Sequence, residues 1–347
     1  MAKKIAMFNH KGGVSKTTTT FNLGWKLSEL GHRVLIIDTD PQCNLTGLCL
    51  SLTDDANFEE FYERSGVSNL KDALDPIFSG TLQPLQPATC YEFPNRKGLY
   101  LLPGHINVSD FDVTISIAQE LTGSLRLVQN VPGAINELIR LTVDQYNFDY
   151  VLIDMSPSVS ATNANLLMLS DFFIIPCSPD YFCNMAISSL TEVLPNWNAT
   201  YETIKTHPAF KDAVYKFPES TPKFIGTIQQ RYRPRNGEPA RSFQTWIDTI
   251  NHNVINRLVP ALRESNMIID EERFRDIVTP EEPYNLVNIA DYNSLIAQSQ
   301  RHNTPIFSLT DEQINQVGQV LDNMIISRNN FNETFTNFAN SVVALTN

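Results

Sequence analysis

Short, continuous apolar runs set the rhythm of this chain. They fall at residues 4–8, 34–38, 99–102, 150–154, 172–176 and 224–228, and several are rich in β-branched residues. Between most of them apolar positions recur at three- and four-residue spacing, as at 18–30 and 163–169, which predicts helices. A strand apolar along its whole length is buried on both faces, and strands alternating with helices pair in parallel. The pattern predicts an α/β fold, a doubly wound, mostly parallel sheet covered by helices on both sides. Gly31-His32-Arg33 reads as a helix stop running directly into the next strand.

Two stretches break the rhythm. Residues 53–96 form a long, partly acidic excursion with one helical piece at 69–77. Residues 196–223 carry Trp197, Tyr201, Pro208, Pro218 and Pro222 and read as an inserted surface segment. Loops of such length have either a function or structure of their own. Further on, Thr310-Asp311-Glu312-Gln313 is a capping-box pattern, followed by apolar residues at Ile314, Val317, Leu321, Met324, Phe331, Phe335, Phe338 and Val342. One or two amphipathic helices are expected there. The chain thus divides into a main domain over 1–310, carrying the two inserts, and a helical extension over 311–347. Arg328 is the sole Lys or Arg of that extension, so it lacks the basic face of an interfacial membrane helix. Packing on the parent domain or on a second subunit is its expected use.

Composition narrows the class. With 347 residues, 42% hydrophobic and 18% charged, the chain has the make-up of a soluble globular protein with a full core. No apolar run approaches the roughly 18 residues of a membrane span, and the N-terminus shows no signal-peptide pattern. A cytoplasmic protein is expected, with no membrane partner. The net charge of −12 excludes a surface that binds nucleic acid all over, so any DNA contact needs a local basic patch. Cys43, Cys49, Cys90, Cys177 and Cys183 show no metal-site or paired spacing and are expected as free thiols.

The chemistry concentrates at Lys11-Gly12-Gly13-Val14-Ser15-Lys16-Thr17-Thr18, which follows the first strand and opens a helix. Strand, glycine-rich turn, lysine, hydroxyl and helix in that order build a phosphate cradle. Lys16 is placed for the β- and γ-phosphates and Thr17 for magnesium. The second strand ends in Asp38-Thr39-Asp40-Pro41-Gln42, returning two carboxylates to the same sheet edge, and the fourth run ends in Asp154. Asp38 and Asp154 suit the magnesium side, and Asp40 suits the attacking water. One aspartate at a strand end is an ordinary turn-former; three in order with the cradle point to a nucleoside triphosphatase.

Lys11 to Thr18 resembles the deviant Walker A motif, KGGxGK[ST]T, of the ParA/MinD family of P-loop ATPases. Asp38 to Gln42 resembles the DxDPQ motif of its ParA branch, and Asp154 the Walker B aspartate. Leu101-Leu102-Pro103-Gly104 resembles a later motif, and the stretch from Ile175 through Leu190 the adenine-side loop. The likeness fades in the inserts and returns weakly from Phe224 to about Leu309. It implies a SIMIBI-like P-loop NTPase fold, ATP and Mg2+ as cofactors, and a nucleotide-sandwich homodimer. It implies a phosphate or nucleotide contact at Lys11, Gly12, Gly13, Val14, Ser15, Lys16, Thr17, Thr18 and Pro179. Thr17, Asp38 and Asp154 would serve the metal. Lys11 would be the signature lysine reaching the partner's phosphates, catalytic together with Lys16 and Asp40. A lysine supplied in trans neutralises charge where phosphoryl transfer spreads it, so hydrolysis would depend on dimerisation.

Ser15 departs from the family pattern, which has glycine there, and His10 occupies the first glycine position of an ordinary P-loop. A Cβ restricts a turn that glycine enters freely, so an adjusted but working site is expected. No NKxD-like guanine reader occurs, which favours ATP over GTP. Arg231, Arg233, Arg235 and Arg241 form a basic cluster with Tyr232, suited to nonspecific DNA phosphates. A ParA-type switch for plasmid or chromosome partitioning follows from the resemblance, with a ParB-like or other partner stimulating hydrolysis. The alternatives are an ATP-stapled interaction module with negligible turnover and a MinD-like positioning ATPase.

Overall fold

The computed structural model describes residues 2–50, 55–81, 83–120, 128–235, 238–278 and 283–347. In chain order the strands are β1 (Lys3–Met7), β2 (Val34–Asp38), β3 (Tyr91–Glu92), β4 (Leu99–Leu102), β5 (Tyr150–Asp154), β6 (Phe172–Cys177), β7 (Lys223–Tyr232), β8 (Pro234–Arg235), β9 (Glu238–Pro239) and β10 (Asn285–Ala290). Eight form one sheet in the order β10-β7-β6-β1-β5-β2-β4-β3, while β8 and β9 make a separate hairpin. Every pairing in the large sheet is parallel except the β3–β4 edge. The α/β doubly wound fold read from the apolar runs is the one observed. Every residue of β2 and β5 is buried, as continuous apolar strands require.

β1 lies between β5 and β6, so the chain leaving its carboxyl end enters the crevice where crossovers diverge, the place where α/β sheets bind ligands. The β1–β5 and β2–β5 registers put Met7 beside Asp154 and Asp154 beside Asp38. Those alignments alone bring the two carboxylates of separate chain segments together.

Several elements differ from the sequence expectation. The first excursion is more structured: beside Leu70–Phe78 it holds the helix Asp55–Ser65 and the edge strand β3; residues 51–54 and 82 lie outside the described residues. Across residue 196, where the second insert was expected to start, Tyr181–Thr206 is one continuous helix running through Pro195. Tyr201, expected on the surface, is buried there against Phe217. The helices Phe111–Glu120 and Val131–Tyr146 and the strand β10 had no counterpart in the sequence reading.

The Thr310 capping box is present but closes a single turn, Asp311–Ile314; a second helix, Gly318–Thr346, then runs to the C-terminal end. It packs on the main body. Lys26 in the first helix donates to Asn332 and sits over the Phe307 ring, which also contacts Phe335. With the sheet below and this helix above, the helix Lys16–Glu29 that follows the glycine-rich turn is buried almost throughout. No helix among the described residues is long and apolar enough to cross a membrane, and all five cysteines are buried, Cys49, Cys90, Cys177 and Cys183 as free thiols.

Candidate nucleotide site

The turn after β1 is pinned by a buried asparagine. Asn9 donates its side-chain amide to the Pro176 carbonyl of β6 (2.8 Å) and accepts from the Lys11 N–H (2.9 Å). Gly13 has φ +73°, and Ser15 has φ +60° and ψ +30°, both left-handed. At Ser15 this conformation costs about 1–2 kcal/mol that glycine would not incur. Ser15 still starts the helix through its carbonyl, which accepts from Thr19 N–H at 3.0 Å, while its hydroxyl makes no cap bond. The sequence departure therefore appears as local strain in a cradle that nonetheless forms.

Lys16 is buried, its ammonium donating to the carbonyls of Asn9 (2.9 Å) and Lys11 (3.2 Å). Burial lowers its pKa, and Asp154 and Asp40 pull it back up. The amine is thus held over the loop by backbone oxygens, ready to exchange them for phosphate oxygens.

Three aspartates lie beneath. Asp38 is fully buried and accepts at Oδ2 from both the Thr46 N–H (2.8 Å) and the Thr46 hydroxyl (2.7 Å), and at Oδ1 from the Asp40 N–H (3.2 Å). Burial pushes it up to about 6 despite those bonds. Gly104 explains its place in the Leu-Leu-Pro-Gly run: a Cβ there would lie 3.1 Å from the Asp38 carboxyl carbon, and its N–H donates to the Thr46 hydroxyl at 2.9 Å. Asp40 faces the cavity and accepts from the Gln42 N–H at 3.0 Å. Asp154 is buried, and neither carboxylate oxygen completes a hydrogen bond of ordinary geometry among the described residues. Burial and the Asp38 charge raise its pKa well above the usual carboxylate range, with Thr17 and Lys16 pulling it down.

An unpaired buried carboxylate beside the Thr17 hydroxyl is a donor set that a hard cation completes. Among the described residues no cluster of three His, Cys, Asp or Glu forms a ready-made metal cage. Magnesium is held by few protein groups plus phosphate and water, so the arrangement fits it.

A cavity of about 500 Å³ opens over the cradle, lined by Gly12 to Thr18 and Asp40 on one side and by Arg231, Asp291, Tyr292, Ile296 and Gln300 on the other. Lys11 and Pro179 are not in its lining. Lys11 forms an ion pair with Asp180 and donates to the Ser178 hydroxyl at 2.9 Å, at the exposed start of the helix Tyr181–Thr206. Burial would raise the Asp180 carboxyl, but bonds from Lys11 and from Cys183 N–H hold it below the usual range. Next to that pair Tyr181, Phe182 and Met185 are 55%, 70% and 52% exposed, an apolar group that sequence reasoning missed.

The four arginines do not act as one group. Arg231, expected in the basic cluster, donates to the Gly13 carbonyl at 2.8 Å and lines the wall of the cavity. Arg233 and Arg241 are exposed, and Arg235 lies in β8 opposite Glu238. Asp291, Tyr292, Ile296 and Gln300 also escaped the sequence reading. They follow β10, in the loop after it and on the helix Leu295–His302, and β10 itself carries polar residues at Asn285 and Asn288 and so lacks the continuous apolar signal of its neighbours.

The AAA_31 family (AAA domain) matches residues 2–206, more than half of the chain. Curated relatives include the sporulation initiation inhibitor protein Soj of Bacillus subtilis, 31% identical over 55% of this chain and 64% of that protein. The chromosome partitioning protein ParA of Caulobacter vibrioides is 31% identical over 55% of this chain and 60% of that one. The chain thus spans under two thirds of these relatives' length. Among solved structures, the pNOB8 ParA covers 99% of this chain and 98% of its own with TM-score 0.60 at 21% identity. The Cyanothece McdA(D38A)–ATP complex covers 99% and 96% with TM-score 0.61 at 14% identity, a likeness of fold. With the glycine-rich turn, its two lysines and the three aspartates in place, the chain belongs to the AAA_31 family.

Proposed function

We propose that this protein is an ATP-driven dimerising switch that hydrolyses ATP slowly and binds DNA nonspecifically when ATP-loaded, serving plasmid or chromosome partitioning. The observation that carries the reading is the division of labour between two lysines of one loop. Lys16 is buried over the cradle, whereas Lys11 stands at its rim, outside the cavity lining, beside exposed Tyr181, Phe182 and Met185. A second copy docking on that apolar group would bring its own Lys11 to this chain's triphosphate.

In this reading Gly12 to Thr18 and Lys16 hold the phosphates, with Pro179 on the nucleotide's adenine side. Thr17 and Asp154 hold magnesium, which when bound would neutralise the β- and γ-oxygens. Asp38 keeps its Oδ1 turned toward Asp40 and available to a metal-bound water, and its Oδ2 fixes the 40–46 loop through Thr46. Asp40 orients the attacking water. Lys11 of a partner copy stabilises the charge that spreads over the leaving and transferred oxygens. Arg233, Arg235 and Arg241 face DNA phosphates, and a ParB-like protein would stimulate the cycle.

The test is a size measurement with ATP, ADP and no nucleotide, paired with phosphate release with and without DNA. Dimers under ATP and turnover raised by DNA support the switch. A dimer that never turns over supports the stapled module instead, and a monomer under ATP defeats the reading.

A further inference from the structure

Arg231 sits where β7 ends, in an arrangement that the strand's pairing makes on purpose. β10 pairs Ile289 with Gln230 and Ala290 with Tyr232, so Arg231 is skipped and forms a bulge. Its φ is +62°, in the left-handed region that a long side chain seldom adopts. A bulge of this kind bends the strand and re-aims one side chain. Here the guanidinium turns back across the cavity mouth onto the Gly13 carbonyl.

The residues on either side of it are tied to different things. Gln230 is buried and donates to the Thr19 hydroxyl at 2.7 Å, fastening the end of β7 to the helix that follows the cradle. Beyond Arg231 the chain passes at once into the basic hairpin, whose base is closed by Ala240 N–H to the Arg233 carbonyl at 3.0 Å and which leads into the helix Arg241–Asn253. Arg231 is therefore the joint between a fixed strand and the chain that carries exposed Arg233 and Arg241.

We propose that Arg231 is a positioning residue that couples occupancy of the phosphate cradle to the placement of Arg233, Arg235 and Arg241. This rests on the nucleotide site proposed above. A triphosphate entering beside Gly13 offers the guanidinium a charged, bidentate partner in place of a neutral carbonyl, and such bonds are about twice as strong as neutral ones. Because Gln230 is held, the adjustment falls on the backbone at Arg231 and moves the hairpin. The direction of coupling is reciprocal: an anion held by the hairpin biases the cradle toward its occupied arrangement.

Amide hydrogen exchange on the full chain tests this, in wild type, Arg231→Gly and Arg231→Lys, each nucleotide-free and at saturating ATP with Mg2+. Glycine suits φ +62°, so that variant deletes the guanidinium without a backbone penalty, and its melting temperature checks folding. In wild type, ATP should change exchange over residues 232–241 by about tenfold, the scale of one charge-assisted bond gained or lost. The difference should vanish in Arg231→Gly while residues 11–18 still gain protection, and should survive in part in Arg231→Lys. Dimerisation alone would leave the difference intact in Arg231→Gly, which overturns the coupling. An unchanged 232–241 segment in wild type with a protected cradle also overturns it. A cradle that gains no protection from ATP defeats the nucleotide reading itself, and the coupling with it.

Discussion

The floor of the nucleotide site and its rim are built differently. On the floor, Lys16, Asp38 and Asp154 are almost sealed from solvent; the Asn9 carbonyl accepts from Lys16, and Thr46 and Gly104 hold Asp38 through a short buried hydrogen bond and close backbone approach. At the rim, Lys11 meets Asp180 across an ion pair whose side chains are 19% and 42% exposed, and Arg231 leans on one carbonyl. Buried contacts of this kind preorganise a site for charge, since they hold the charged groups close to where the ligand's charge comes to lie. Exposed pairs are worth little and exchange partners readily. The floor is suited to holding a triphosphate, and the rim to changing with it.

The largest effect should come from breaking the floor. Lys16→Ala removes the cation over the cradle and should weaken ATP binding by at least about 100-fold, as expected for the loss of two or more charged hydrogen bonds; equilibrium titration with a fluorescent ATP analogue would reveal it, and unchanged affinity would refute the cradle. Asp40→Ala should leave ATP binding intact but slow phosphate release by about 100-fold, the usual scale for losing a group that positions the attacking water. ATP-loaded dimer should accumulate in that variant, and normal hydrolysis would remove Asp40 from its assigned role.

Smaller effects should mark the rim and the basic hairpin. Arg235→Glu combined with Arg241→Glu should weaken DNA retention about tenfold and flatten its salt dependence by one to two units of slope. A steep slope retained in the double variant would place any DNA contact elsewhere. Ser15→Gly should raise stability by about 1 kcal/mol by relieving the left-handed strain, seen as a higher melting temperature; no gain would show that the loop already relaxes around the serine. Asp180→Asn keeps the helix cap but removes the charge that holds Lys11. It should favour the ATP-bound dimer by about two- to fivefold, the worth of a partly exposed ion pair, and sedimentation under limiting ATP would measure it.

The strands β2, β4 and β5 were legible to the residue because each is a continuous apolar run bounded by charges or turns. The edge strand β3, at two residues, is too short to carry a periodic signal. The helix Tyr181–Thr206 runs on past residue 196, where a surface insert was expected from the sequence, and it continues through Pro195, supported by buried Leu190, Leu194 and Tyr201. The lysines, hydroxyls and aspartates of the site were read as a motif, because a phosphate cradle depends on local order along the chain. Gln230, Tyr292 and the Arg231–Gly13 contact were not, since each gains its role from residues far away in sequence.

The chain's own order determined that a glycine-rich turn would follow one buried strand, carry two lysines and face carboxylates returned by two others. Those features arise from nearest-neighbour chemistry and strand periodicity, which act over a few residues. Only the tertiary structure decided which lysine lies over the cavity and which waits at the rim, and that Arg231 turns inward while Arg233 and Arg241 remain outside. Those outcomes depend on strand register and on a single bulge, and a one-residue change in pairing redirects a side chain to the opposite face.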